Sequence, residues 1–308
     1  MRARLLAWYD KNRRDLPWRH TGDPYRIWVS EIMLQQTRVA AVIDRYEIFL
    51  ERFPDVRALA KADVAEVLAL WSGLGYYRRA RSLHQAARQI VASRGPMPGT
   101  ALQWRSLPGI GRYTAAAIAS IASGEACAVV DGNVERVVRR VIGAAGIAIE
   151  QVWDVAEEWI SPARPGDFNQ ALMELGATVC LPNAPQCDRC PLHKWCKTKG
   201  VLPARLVAAR KRRDIAYSLA LRKDSLYLKR RASSESLMPE MWELPEVTLN
   251  GHTPEFVLRH AITVTDFRVA VVRTATPSGG GRWVRIQRVS SLPLTGLTRK
   301  ILSRAGII

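Results

Sequence analysis

Residues 106–118 read SLPGIGRYTAAAI, a proline and two glycines, Gly109 and Gly111, directly ahead of a run of small residues. Glycine gives a turn access to left-handed backbone angles and lets another group come close to the chain. With the preceding TALQWR, the pattern predicts a helix, a tight hairpin, and a second helix beginning near Arg112. The backbone N–H groups at that second N-terminus, helped by the helix dipole, suit a phosphate. An ordinary αα turn, with glycines for close packing, gives the same string.

What approaches the hairpin is constrained by charge. The 308 residues carry 46 Lys and Arg against 28 Asp and Glu, a net charge of +18 and a pI near 10.3. A polyanion suits this balance through counterion release, although ribosomal, membrane-surface and merely basic soluble proteins share it. The segment from Lys197 to Arg231 concentrates twelve basic and two acidic residues, including ARKRR at 209–213. It reads either as a solvated interdomain linker or as a strap along a phosphate backbone. No apolar run of about 18 residues exists, and the opening MRARLLAWYDKNRR lacks an apolar signal core, so an intracellular, cytoplasmic protein with no membrane partner is expected.

Length and texture predict two domains. Residues 1–196 show helical spacing of apolar positions, as in RIWVSEIMLQQTRVAAVIDRYEIFL and RRARSLHQAARQIVA, broken by GDP, FPD, GLG and RGPMPG. After a basic linker over 197–215, residues 216–308 read as a smaller α+β module. IAYSLALRKDSLYLKRR predicts two strands around Lys223 and Asp224, and FRVAVVRTA with GRWVRIQRV predicts a hairpin across PSGGG.

Four of the five cysteines fall in CLPNAPQCDRCPLHKWC: Cys180, Cys187, Cys190 and Cys196. Thiols so close together in an intracellular chain suit one metal centre better than disulfides. A Cys₄ zinc site is one reading. A single CxxC, with all four thiols in one compact loop after a helix, favours a [4Fe-4S] cluster of structural role. His193 lies inside this loop and reads as a surface residue. Cys127, in the apolar run ACAVV, reads as a buried small side chain.

Two carboxylates stand out. In VVDGNVERVVRR, Asp131 follows an apolar run and opens a helix, so it reads as an N-cap, or, just beyond a phosphate-binding hairpin, as a carboxylate beside a sugar. In WVSEIMLQQT, Glu31 falls among Trp28, Ile32 and Met33. An amphipathic helix would leave it partly exposed. Burial would raise its pKa, which suits a proton donor.

Together, LPGIGRYTAAAI, VVDGNVERV and the Cys-x6-Cys-x2-Cys-x5-Cys order resemble the endonuclease III superfamily of helix-hairpin-helix base-excision DNA glycosylases. Within it, LPWR (16–19), SEIMLQQT (30–37), WSGLGYYRRARSLH (71–84) and FNQALMELGATVC (168–180) resemble the adenine DNA glycosylases, the MutY family. The resemblance implies a mainly α glycosylase domain over 1–196, with a six-helix part over about 20–130 and an iron-sulfur part from 1–19 and 131–196. It also implies a partner, double-stranded nucleoid DNA with an adenine mispair, bound by a monomer. Tyr113 stands where bifunctional relatives carry the Schiff-base lysine, implying a monofunctional enzyme. Thymine mismatch glycosylases also carry Tyr there and remain the second reading.

By the same resemblance, Glu31 protonates N7 of a flipped adenine, and Asp131 stabilises the oxocarbenium-like sugar. Asn133 and Tyr113 position sugar, phosphate or water. Arg14, Trp18, Arg19, Leu34 and Gln170 fall in motifs that line the adenine pocket, and Gln36 and Tyr76 wedge into the stack beside the opposite base. LMPEMWELPE at 237–246 resembles the start of the Nudix-like module that reads 8-oxoguanine, without a catalytic Nudix signature. That module departs from its relatives at RHAITVTDF (259–267), where Ile262, Thr263 and Val264 replace a Phe-Ser-His loop. Thr263 retains a hydroxyl. The aromatic wedge and the imidazole donor are gone.

Overall fold

The computed structural model describes residues 1–202, 211–235, 238–249, 251, 253–262, 265–275, 277 and 279–308. They divide into two compact units, Met1–Lys61 with Ser82–Arg205, and Ala62–Arg81 with Leu206–Ile308. In chain order the helices are α1 (Arg2–Asn12), α2 (Pro24–Leu34), α3 (Val39–Arg52), α4 (Val56–Lys61), α5 (Val64–Leu70), α6 (Arg78–Ala92), α7 (Ala101–Arg105), α8 (Arg112–Ala122), α9 (Gly132–Ile142), α10 (Ile149–Trp159) and α11 (Pro165–Thr178). Of these, α5 and the first turn of α6 belong to the second unit.

The first unit is helical, built around α2. Asp23 caps this helix by accepting the N–H groups of Tyr25 and Arg26, and Pro24 supplies a preset first residue. The sequence of α2 is apolar nearly all round, so Ile27, Trp28, Val29, Ile32 and Met33 are buried together, with Trp28 5.5 Å from Trp104 of α7. Every side chain from Thr114 to Ser120 on α8 is buried, and their small size lets α2, α7 and α11 approach its backbone.

The two hairpin glycines serve different ends. Gly109 has φ +78°, and a Cβ there would lie 2.5 Å from Ser82 Cβ, so the fold itself demands glycine. Gly111 caps α8 with an ordinary φ of −89°, and a Cβ would meet nothing within 4 Å. The space in front of α8 is open.

Between α8 and α9 the chain runs extended and is pinned from outside. Asn169, fully buried on α11, accepts from Val129 N (3.2 Å) and donates to Cys127 O and Ser120 Oγ (both 2.9 Å). Glu157 accepts from Ala128 N at 3.0 Å. These contacts deliver Asp131 to the first turn of α9, whose Val134, Val137, Val138 and Val141 form the buried stripe.

The second unit contains β1 (Lys211–Leu219), β2 (Leu221–Arg222), β3 (Ser225–Arg230), β4 (Trp242–Glu243), β5 (Glu246–Val247), β6 (Phe256–Ile262), β7 (Thr265–Arg273), β8 (Arg282–Arg285), α12 (Ile286–Val289) and α13 (Gly296–Arg304). One sheet has the order β5-β1-β7-β6, with β1 and β7 parallel; the other runs β2-β3-β4, with β8 on β3. Leu226, Leu228, Val269, Val271, Ile301 and Leu302 lie in its core. The turn at Lys223 and Asp224 forms as expected between β2 and β3. The expected pairing of FRVAVVRTA with GRWVRIQRV does not: β7 pairs with β1 and β6, whereas β8 pairs with β3 in the other sheet. Alternation marks a strand without choosing its partner, and the long parallel pairing with β1 buries more of β7 than a hairpin with the short β8 would.

Residues 62–81, which the sequence reading assigns to the helical domain, cluster with the C-terminal half. Within that unit Tyr77 donates to Leu294 O (2.7 Å), Arg299 donates to Ser72 Oγ (2.7 Å), and Arg81 pairs with Glu240 (3.2 Å). Among the described residues no helix is long and apolar enough to cross a membrane.

Candidate active site

Glu31 faces inward on α2 and is 6% exposed. Its Oε2 accepts a hydrogen bond from the Tyr113 hydroxyl at 3.0 Å, and that hydroxyl also lies 3.3 Å from Met173 Sδ on α11. Burial pushes the Glu31 carboxyl up to about 7; Tyr113 opposes the shift and the nearby charge of Asp131 reinforces it. Tyr113 is pushed well above its ordinary value by burial and by both carboxylates, so it stays a donor. Gln35, at the end of α2, donates to Thr114 Oγ1 at 2.9 Å and fixes α2 against the hairpin's second helix.

Asp131 is the N-cap of α9 as read from sequence. Its Oδ1 accepts from Asn133 N (2.9 Å) and Val134 N (2.7 Å), and its Oδ2 from Asn133 Nδ2 (3.0 Å). Asn133 is held in turn by Arg136, whose Nη2 donates to Asn133 Oδ1 (2.8 Å) and Gly176 O (2.6 Å), while Nε donates to Cys180 O (2.8 Å). A Cβ on Gly176 would sit 2.6 Å from Asn133 Cβ, so the glycine of ELGATVC keeps α11 close against the aspartate turn. Cap and catalytic candidate are one residue here.

Arg14 and Arg19 converge on a group that the sequence reading missed. Glu174 of α11 is fully buried and accepts from Arg14 N, Nε and Nη2 and from Arg19 Nη2, over 2.7–3.0 Å. Burial alone would raise its carboxyl, but the arginine hydrogen bonds outweigh that and hold it at about 2. Glu174 follows Gln170 by four residues and so shares its helix face, but nothing local in the sequence marks it as the partner of Arg14 and Arg19. Trp18 is buried edge-on to Tyr46 (5.5 Å), and Leu34 and Gln170 are half-buried. Gln36 and Tyr76, in different units, share one unusual property: both have φ in the left-handed region, +55° and +49°. Thr263 and Val264 lie outside the described residues.

The four cysteines are free thiols lining one pocket with Val137, Val141, Leu175 and Val179, and with His193 at its edge. Arg140 aims Nη1 at Cys180 Sγ (3.3 Å), and Lys199 N donates to Cys196 Sγ (3.4 Å). Among the described residues no three His, Cys, Asp or Glu side chains form a ready single-ion site. The sulfurs face a pocket with apolar walls and a cationic donor, which fits an anionic, thiolate-held group larger than one ion. Cys127, half-buried, donates to Ala116 O at 3.6 Å, and burial pushes its thiol to about 12.

A hairpin opening onto a helix N-terminus, a dry acid and a capping aspartate on an all-helical unit define the helix-hairpin-helix DNA glycosylase fold. Residues 29–162 match the family model of the HhH-GPD superfamily base excision DNA repair proteins. The chain is 50% identical over 213 residues to the adenine DNA glycosylase of Homo sapiens, covering 64% of this chain and 39% of that protein. It is 36% identical over 314 residues to the adenine DNA glycosylase of Arabidopsis thaliana, covering 86% and 50%. Among solved structures, a thermostable thymine-DNA glycosylase matches with a TM-score of 0.60 at 32% identity, over 64% of this chain and 94% of that one. The chain therefore belongs to the HhH-GPD superfamily of base excision DNA repair proteins, and its catalytic half is similar to the adenine DNA glycosylases (MutY family). It spans half or less of the length of these two curated relatives.

Proposed function

We propose that this chain is a monofunctional DNA glycosylase of base excision repair, acting as a monomer on nucleoid DNA to hydrolyse the glycosidic bond of adenine opposite 8-oxoguanine or guanine. The observation that carries the reading is Glu31, a carboxyl raised to about 7 on a buried helix, bonded to Tyr113 and within electrostatic reach of Asp131. An acid still substantially protonated near neutral pH, within electrostatic reach of a carboxylate, is the pairing that glycosidic cleavage needs.

In this reading a flipped adenine enters between α2, α8 and α11, and neutral Glu31 gives its proton to N7. The bond from sugar to base then breaks with its electron pair leaving on adenine. Asp131, aimed by Asn133, faces the developing sugar cation. Water completes hydrolysis, its proton returning to the Glu31 carboxylate. Tyr113 has no amine for a Schiff base, so strand cleavage is not part of the reaction. The open space before Gly111 and Arg112, with Arg112 stacked 3.9 Å from the Trp153 ring, suits a backbone phosphate. Arg14, Arg19 and Gln170 would border the base, Gln36 and Tyr76 would enter the stack, and the C-terminal unit, Nudix-like, would read the opposite base with Thr263.

Cys180, Cys187, Cys190 and Cys196 would hold a [4Fe-4S] cluster, which when bound cross-links the loop beside α9. Iron and acid-labile sulfide at about four each per chain would support it, and stoichiometric zinc would replace it.

The deciding assay measures base release from matched duplexes carrying adenine opposite 8-oxoguanine, adenine opposite guanine, or thymine opposite guanine. Adenine release with preference for 8-oxoguanine is expected. Thymine release without adenine release would transfer the assignment to the second reading, which Tyr113 and the likeness to a thymine-DNA glycosylase support.

A further inference from the structure

The loop between α5 and α6 presents one exposed aromatic ring in a conformation that aromatic residues avoid. Tyr76 is 46% exposed with φ +49°, immediately after the left-handed Gly75. A bulky L-residue there is strained and persists only where its surroundings fix it. Both flanks are anchored: Leu74 and Tyr77 are buried, and the Tyr77 hydroxyl donates to Leu294 O at 2.7 Å.

Arg79 gathers the loop from beneath. Its Nη2 donates to Leu74 O (3.1 Å) and Gly75 O (3.2 Å), its backbone N–H donates to Tyr76 O (2.8 Å), and Trp71 Nε1 adds a second donor to Gly75 O (3.2 Å). The guanidinium carbon lies 5.6 Å from the Trp71 ring and 5.4 Å from the Tyr76 ring. A guanidinium in reach of two rings and bonded to two carbonyls is engaged by its own loop, whereas its neighbour Arg78 is exposed. Arg79 is thus placed to hold the loop and not to meet a phosphate.

We propose that Arg79 is a positioning residue: it holds Tyr76 in its left-handed, outward conformation, so that the ring enters the base stack beside the mispair without the loop first having to order. This deepens the proposed function and rests on its assignment of Tyr76 to the stack. Preorganisation of this kind lowers the entropic cost of insertion.

The test uses the full chain with Arg79→Met, Arg79→Lys, Tyr76→Leu and the Arg79→Met/Tyr76→Leu double variant. Amide hydrogen exchange reads the loop, and fluorescence of 2-aminopurine placed next to the 8-oxoguanine reads insertion. Arg79→Met should speed exchange at 72–77 alone and weaken the fluorescence-monitored complex about tenfold, the scale of two cation–π contacts. Arg79→Lys should recover part of this, and Arg79→Met should add nothing once Tyr76 is leucine. Unchanged exchange at 72–77, or an Arg79→Met effect undiminished in the Tyr76→Leu background, would overturn the proposal. A Tyr76-dependent fluorescence rise without base release would leave it standing and count against the glycosylase reading; base release with no Tyr76-dependent rise would do the reverse.

Discussion

The Tyr113 hydroxyl donates to Glu31 Oε2 across 3.0 Å, joining the helix after the glycine hairpin to the one carboxyl side chain of α2. This bond ties the helix that follows the hairpin to the candidate acid, because the residue after Arg112 sets the environment of Glu31.

The acid gives a pH dependence with a definite sign. Base release should fall as pH rises through about 7, where Glu31 loses its proton. Stability follows: the unfolded carboxyl titrates near about 4.3, so the fold's preference for neutral Glu31 is complete below that and lost as pH climbs through about 7. Glu31→Gln should abolish base release and exceed wild type in stability by roughly 3–4 kcal/mol at about pH 8, with the gap closing toward about pH 4. Urea melts at the two pH values check this, and a variant no more stable at the higher pH would show that Glu31 is not desolvated.

Glu174 has the opposite sign. Its folded carboxyl sits at about 2, so the stability from its arginine pairs is present above about 4.3 and lost as pH falls toward about 2. Glu174→Ala, which strands two arginines, should cost about 3 kcal/mol or more. Thermal or urea unfolding measures it directly, with a neutral result indicating that Arg14 and Arg19 simply turn to water.

The two hairpin glycines should separate folding from DNA binding. Gly109→Ala meets Ser82 Cβ and a left-handed φ, and should lower stability by about 1–3 kcal/mol. Gly111→Ala meets nothing in the protein and should melt as wild type does, yet bind a duplex more weakly if a phosphate occupies the space before α8. Equal duplex affinity for Gly111→Ala and wild type would remove the hairpin from the DNA interface.

Arg136 links Cys180 O to Asn133 and through it to Asp131. Arg136→Met should slow single-turnover base release by about tenfold or more, the scale of one lost charge-assisted hydrogen bond, while iron content stays at the wild-type level. Loss of iron together with activity would instead make Arg136 a support of the cysteine loop alone.

Much of this was legible in the residues themselves. Local rules suffice for the hairpin glycines, the Asp131 cap and the cysteine spacing, because each depends on backbone geometry within a few residues. Apolar periodicity was enough to mark the helices and to put Glu31 on an apolar one. Glu174 escaped notice because one carboxylate on a helix has no local mark of its role; only the return of Arg14 and Arg19, 160 and 155 residues away, gives it one.

The sequence by itself determined which elements form and which residue types stand at the hairpin, the aspartate turn and the cysteine loop. Tertiary structure alone decided that β7 pairs with β1 and not β8, that residues 62–81 cluster with the C-terminal half, and that Tyr113, Glu31 and Met173 meet. The physical reason is range: caps, turns and periodicity act between near neighbours, whereas strand partners, burial and the desolvation that raises Glu31 depend on segments that meet only after the chain has folded.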